Sequence, residues 1–301
     1  MIDRPFLGIL LMLGFCVLAP LGDAMAKVLG ADMSVGFLVL VRFTVQAALL
    51  LPLVLLLKYP MPQGARFIRL TAFRTVLHIA GITLMFSSLQ YLELADAIAI
   101  AFVMPFIMLL LGKVYLNEDV GAHRLAACAV GFVGTLLVVQ PNFVQVGLPA
   151  LLPIGVAVVF ALFMLVTRAI AKDVDPIGLQ ALSGVMAVPA VGLAMILFPE
   201  TPLLALRTIP DNAWLLLAIL GCMGTVAHLL MTWSLRFAPS TTLAPMQYLE
   251  IPIGTLIGYL IFHDLPNGLA AVGISITIAA GLYVIVRERA ISRRPAIAPL
   301  S

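Results

Sequence analysis

Charge is what this sequence has least of. Asp, Glu, Lys and Arg together make up 10% of its 301 residues, and hydrophobic residues make up 63%. Soluble domains run at about 25% and 45–50%, so an ordinary aqueous globular fold is excluded. The three cysteines, Cys16, Cys128 and Cys222, fall inside apolar runs without metal or disulfide spacing, which reads as core packing and leaves no thiolate metal site. There is no His-Glu-x-x-His pair, and Leu21-Gly22-Asp23 lacks the first glycine of a Gly-x-Gly-Asp motif. A glycine-rich phosphate cradle is missing too. These gaps exclude the familiar intramembrane hydrolases and ATP-driven pumping by this chain alone, so neither an enzyme nor a cofactor is expected. Repeated polar rings or a filter motif, which a channel would carry, are not found either.

What is present is apolar length. Mean hydropathy is +1.16, and a span needs about 20 mostly apolar residues. Ten such segments occur, at 5–29, 34–57, 70–91, 95–116, 122–140, 149–171, 176–198, 213–236, 241–262 and 267–286. The connections are short, so functional groups lie in the membrane or at its faces. With the N-terminus inside, fourteen Lys and Arg residues fall on the cytoplasmic side (Arg74 and Arg168 among them), and Lys27 and Arg207 on the other. The positive-inside rule therefore predicts cytoplasmic termini and, for a bacterial chain, the inner membrane. Arg4, an apolar run and Ala24-Met25-Ala26 imitate a signal peptide, but the run is longer than an h-region and Asp23 sits beside the supposed cleavage site. The net charge of +3 is too small to point to nucleic acid.

The chain also repeats itself. Ile82–Tyr91 reads ITLMFSSLQY and His228–Phe237 reads HLLMTWSLRF, matching at four positions 146 residues apart. Ser88 is followed by Pro105 and Glu118, and Ser234, at nearly the same intervals, by Pro252 and Asp264. This is a tandem duplication of a five-span unit, dividing the chain into 1–147, 148–288 and a tail at 289–301. Five is odd, so the second copy enters the bilayer inverted. The loop charges follow suit: Lys58, Arg66 and Arg69 after span two are answered by Glu200, Arg207 and Asp211 after span seven. Inverted repeats mark transporters that bind substrate near the midplane between the halves.

Ten spans as five plus five, Arg42 in the LVRF stretch of span two, and the Pro105/Glu118 and Pro252/Asp264 pairs resemble the drug/metabolite transporter superfamily, EamA type. Within it the chain looks most like bacterial exporters of aromatic amino acids and methyl viologen. The resemblance implies an all-α membrane fold, two inverted five-helix repeats around a central cavity, and export of an amino acid with a large apolar side chain by alternating access. Other small metabolites or cationic drugs are the alternative substrates, and a channel or sensor the alternative class. The expected partners are a small molecule and the lipid bilayer; oligomeric state is not indicated.

Candidate site residues follow from the cost of polar groups in lipid. Glu250 lies nine residues into span nine, roughly 14 Å deep by helix rise. Gln247 and Gly254 share its face, and Pro252 is expected to free the carbonyl of Tyr248. Glu250 either binds or couples, or it sits protonated in a helix interface; Met104 holds the equivalent place in the first repeat. His78, Met85 and Ser88 stripe span three, with His228, Met231 and Trp233 in span eight. They line a cavity or pack helices. Asp23 and Lys27, four apart, have the order of a helical ion pair, and Arg42 has Asp23 or Asp96 as possible partners, so an outer gate is one expectation. Pro105 and Pro252 are hinge candidates.

Overall fold

The computed structural model describes residues 4–139, 147–207, 209–263 and 268–292. Among them there is no strand; the chain is a bundle of helices. In order these are α1 (Pro5–Leu29), α2 (Val35–Leu57), α3 (Ala65–Ser88), α4 (Leu94–Ala101), α5 (Met104–Leu116), α6 (Ala122–Val139), a 3-10 turn (Leu148–Leu151), α7 (Leu152–Ile170), α8 (Pro176–Leu197), α9 (Ala213–Phe237), α10 (Ser240–Gln247), α11 (Glu250–Phe262) and α12 (Gly268–Ser292). Their starts are written locally. Ser34 caps α2 by accepting from Phe37 N at 3.3 Å, and Asp175 caps α8 by accepting from Ile177 N at 2.9 Å. Among the described residues seven stretches are long and apolar enough to cross a membrane, counting α4 and α5 as one. Their outward faces are bare leucine and valine, as at Leu55 and Leu56, which belongs against lipid tails.

Two spans expected to be continuous, 95–116 and 241–262, are each broken in two. The halves are eight and thirteen residues long in both cases, and each boundary of α4 and α5 recurs 146 positions later in α10 and α11. Both thirteen-residue helices end on a left-handed residue, Asn117 and His263, again 146 apart. The breaks are tight i to i+3 turns: Phe102 N donates to Ala99 O, and Leu249 N to Met246 O, both at 3.1 Å. Proline explains their place. Pro105 and Pro252 sit in the first turn of α5 and α11, where a missing N–H costs nothing. The freed Tyr248 carbonyl expected from Pro252 does not occur, because Ile251 N donates to it at 3.2 Å.

Helix pairing has a pattern. α1 packs on α9, α3 on α7, α2 on α8 and α6 on α12. α1 and α9 run antiparallel, since Gly8 meets Ser234 and Ala238 while Gly14 meets Leu230. α3 and α7 do likewise, with Gly81 against Phe160 and Gly155 against Leu84. Arg4 N donates to Phe237 O, which places the start of α1 beside the end of α9 and defines an N-terminal face of the bundle.

Two sequence expectations need correction here. Arg74, counted among the loop cations, is completely buried within α3. Cys222, read as core, is exposed on the bundle surface, whereas Cys16 and Cys128 are buried. Asp264 and the arginines at 293 and 294 lie outside the described residues.

The α1–α9 approach depends on the missing side chain of Gly8, where a Cβ would fall 2.5 Å from that of Ala238. Gly8→Val is expected to destabilise the protein by about 1–3 kcal/mol through overpacking. Thermal unfolding in detergent checks this; an unchanged midpoint would mean that the seam has slack.

Candidate functional site

The broken helices meet at the centre. Tyr248, in the second break, donates its hydroxyl to the carbonyl of Phe102, in the first break, at 3.3 Å, and their rings lie 5.5 Å apart. Gly131 makes room for the Tyr248 ring, which a Cβ there would strike at 2.7 Å. Beside this contact a cavity of about 80 Å³ runs from mid-bundle toward the face opposite the N-terminal one. Its walls are aromatic and thioether, with Phe15, Phe86, Phe102, Phe160, Met85 and Met104 contributing. Its polar groups are Asp23 of α1, Arg42 of α2, His228 of α9 and Glu250 at the start of α11. Drug-sized ligands occupy pockets of about 300–1,000 Å³, so in this conformation the cavity is smaller than one of them needs.

Arg42 is buried, and Gly224 lets it lie flat, since a Cβ there would fall on the guanidinium. Its Nη2 donates to His228 Nδ1 at 2.8 Å. The same Nδ1 stands 3.1 Å from Gly224 O, so a guanidinium that can only donate and a carbonyl that can only accept share one ring nitrogen, while Nε2 faces elsewhere. That Nε2 has no partner, nor has Glu250 Oε1 or Arg42 Nε. Asp23 lies near enough to Glu250 to act on its charge, Arg42 faces Asp23, and the Cys16 thiol is beside Glu250. Two carboxyls, one guanidinium and an imidazole thus surround one small volume. Behind them His78 stacks on His228 with ring centroids 4.3 Å apart, and both of its nitrogens lack a partner.

Of the residues singled out in the sequence, Asp23, Arg42, Met85, Met104, His228 and Glu250 share the cavity. His78 stands one layer behind. The others do not line it. Ser88 donates to its own helix at Met85 O, and Met231 is buried in the core. Gln247 donates to Met164 Sδ at 3.1 Å, and Tyr248 goes to Phe102. Trp233 packs with Leu50, Val54 and Ile177 on the far side of α9. The expected Asp23–Lys27 pair is not formed either. Asp23 turns to the cavity, and Lys27 donates to Leu92 O at 2.6 Å and lies over the Phe262 ring. Asp96 stands in the first turn of α4.

A second arrangement closes the N-terminal face and was not foreseen. Glu118 accepts from Ser240 N at 3.2 Å, Ser240 Oγ at 2.7 Å and Thr241 N at 3.0 Å, so it caps the half-helix α10. Arg168 pairs with the same carboxylate at 3.1 Å and donates to Leu235 O at 2.6 Å. Four segments from both halves of the chain are tied by one largely buried ion pair. The only sequence signal was Glu118 as a repeat marker.

The EamA-like transporter family model matches residues 6–140 and again 147–287. The chain belongs to this family. It is a multi-pass membrane transporter of the EamA type, and its relatives move small metabolites. A protein of Rhizobium johnstonii named riboflavin transporter is 29% identical over 227 residues, covering 74% of this chain and 72% of that one. A riboflavin transporter of Brucella anthropi is 26% identical over 80% of this chain and 86% of its own length. The S-adenosylmethionine uptake transporter of Rickettsia prowazekii is 25% identical, with 91% and 90% covered. One solved crystal structure, 17% identical, superposes with a TM-score of 0.72 over 96% of this chain and 98% of that one; at that identity it supports the fold alone.

Removing one partner of a buried ion pair strands the other. Glu118→Ala is expected to cost about 3 kcal/mol, and adding Arg168→Met should recover part of the loss. Unfolding midpoints of the single and double variants check this. If the single variant unfolds like the parent, the tie carries no weight.

Proposed function

We propose that this EamA-type chain is a secondary transporter in which two inverted halves alternate access to the central cavity, and that its substrate is a flat heteroaromatic metabolite of the flavin kind. The observation that carries the reading is the cavity itself, an aromatic and thioether slot whose polar groups are Asp23, Arg42, His228 and Glu250. Aromatic walls favour a flat ring system in offset or edge contact. A carboxyl that lacks a partner suits a ring N–H, and a guanidinium suits the carbonyls beside it. The imide edge of a flavin offers that alternation. Two relatives named riboflavin transporter support the same choice.

Inversion is supported by the helix pairing. Exchanging the first five spans for the second five turns the α1–α9 contact into the α7–α3 contact and leaves α2–α8 and α6–α12 as they are. The placement of Arg66, Arg69, Arg124 and Arg168 toward the N-terminal face supports cytoplasmic termini in an inner membrane. Opening toward that face requires the Glu118–Arg168 tie to break, with the tight turns at Phe102 and Tyr248 taking up the bend.

Export of an aromatic amino acid is a second reading of the same slot, with its ammonium at Glu250 and Asp23 and its carboxylate at Arg42. Purified protein in liposomes separates the two. Saturable riboflavin flux that phenylalanine does not compete supports the first, and the reverse pattern supports the second. Flux of neither overturns both.

Glu250, with an oxygen that lacks a partner in the cavity, is also the candidate for coupling. Glu250→Gln should abolish any stimulation by an imposed pH gradient while leaving substrate exchange at equal pH. A gradient response as large as the parent's would remove Glu250 from that role.

A further inference from the structure

Arg74 is the largest side chain that is fully buried in this protein. Its Nε donates to Thr167 Oγ1 at 2.7 Å, Nη1 to Ser183 Oγ at 3.0 Å and Gln180 Oε1 at 3.3 Å, and Nη2 to Thr232 Oγ1 at 3.3 Å. The guanidinium lies 4.5 Å from the centre of the Phe163 ring. Every one of these neighbours is neutral. Among the described residues no carboxylate forms an ion pair with Arg74. A cation buried inside a membrane bundle is costly and calls for a counter-charge. A neutral amide could tie the same four helices at less cost, so the tie alone does not account for a guanidinium.

Its position suggests where the counter-charge comes from. Arg74 is one turn, about 6 Å, from His78 along α3, toward the N-terminal face. Thr232 is likewise one turn from His228 along α9. The stacked imidazoles therefore separate two guanidinium groups, Arg42 on the cavity side and Arg74 on the inner side. Around this column sit buried polar atoms without a partner: both nitrogens of His78, Nε2 of His228, and Oε1 of Gln46, whose amide nitrogen donates to Gln180 O at 2.8 Å. Buried groups left unpaired in the bundle are costly unless something else meets them in another state. This column lies between the cavity and the N-terminal face.

We propose that Arg74, with Thr167, Gln180, Ser183 and Thr232, is a second binding station that receives an anionic group of the substrate, a carboxylate or a phosphate, once the His78–His228 stack parts. The chemistry fits. The planar fork of arginine matches both anions with two parallel hydrogen bonds. The Ser183 hydroxyl, which donates to nothing in the described structure, can turn its hydrogen toward an arriving oxygen. In this conformation the hydroxyl and amide oxygens stand in for that anion. The station rests on the transport reading above but not on the flavin choice, because it specifies the charge of the substrate and not its ring.

The test uses full-length purified protein and two pairs of probes that differ in one anionic group: riboflavin with riboflavin 5′-phosphate, and tryptophan amide with tryptophan. Apparent affinity is read from the ligand-induced shift of thermal unfolding. In the parent, the anionic member of at least one pair should bind roughly tenfold more tightly than its neutral or cationic mate. Arg74→Gln should erase that preference and Arg74→Lys retain part of it, with the affinity for the uncharged-end mate unchanged in both. A purely structural Arg74 would weaken both members alike. Should Arg74→Gln fail to fold, Arg74→Lys and Ser183→Ala carry the comparison, each losing part of the preference. A preference in the tryptophan pair alone removes the flavin reading and supports the station. No preference in either pair, or one that survives Arg74→Gln, overturns it.

Discussion

Hydrocarbon offers no hydrogen-bond partner, and the rest of this structure follows from that constraint. Backbone groups must be satisfied within helices, so the only places where a helix can be interrupted are inside the bundle. Both interruptions are there, 146 residues apart and in contact through Tyr248 and Phe102. Each puts a tight turn at the centre of the protein, and Glu250 projects from the helix that starts just after one of them. The same constraint gathers the polar side chains. Asp23, Arg42, His228, His78 and Arg74 follow one another through the interior, while the outward surfaces carry mainly leucine, valine and isoleucine with scattered aromatics.

On the proposed flavin-type reading, a cavity of about 80 Å³ is too small for three fused rings, and the described conformation is then a contracted one. On the N-terminal face it is sealed by Glu118, which binds the start of one half-helix and the cation of another helix with a single carboxylate. On the opposite face Lys27 donates to the carbonyl of Leu92 and lies over the Phe262 ring. In each half a cation two residues from the end of the first helix donates to a carbonyl near the end of the third, Leu92 just past it and Leu235 just inside it, at 2.6 Å in both cases. On the alternating-access reading these two ties belong to the closures of the two faces.

Much of this was legible in the sequence. Hydropathy located the helices within a few residues, and the repeated decapeptides anticipated an offset that the half-helix boundaries then kept. Asp23, Arg42 and Glu250 stood out because charge in an apolar run is costly, and all three line the cavity. What the sequence did not disclose is direction around each helix. Ser88 and Trp233 lie at plausible depths but turn to their own backbone and to a neighbouring seam, a matter of rotation that a stripe of similar residues leaves open. Arg74 was misread because it falls four residues inside a span boundary, where a long side chain ordinarily snorkels to the interface. Here four polar side chains from three other helices keep it inside. The Glu118–Arg168 tie joins residues 50 apart in sequence, and no local pattern announces such a pair.

The central claim is that one site, at the seam between two halves, is exposed to one face at a time. It is tested by placing a single cysteine at Met104, in the cavity wall, in a protein otherwise without cysteine, and measuring its labelling by a membrane-impermeant thiol reagent applied separately to each face of sealed vesicles. The account predicts labelling from the face opposite the N-terminal one in the resting protein, with reactivity appearing at the N-terminal face when Glu118 is replaced by alanine. Equal labelling from both faces in the resting protein, or a pattern that the Glu118 change leaves untouched, would contradict it.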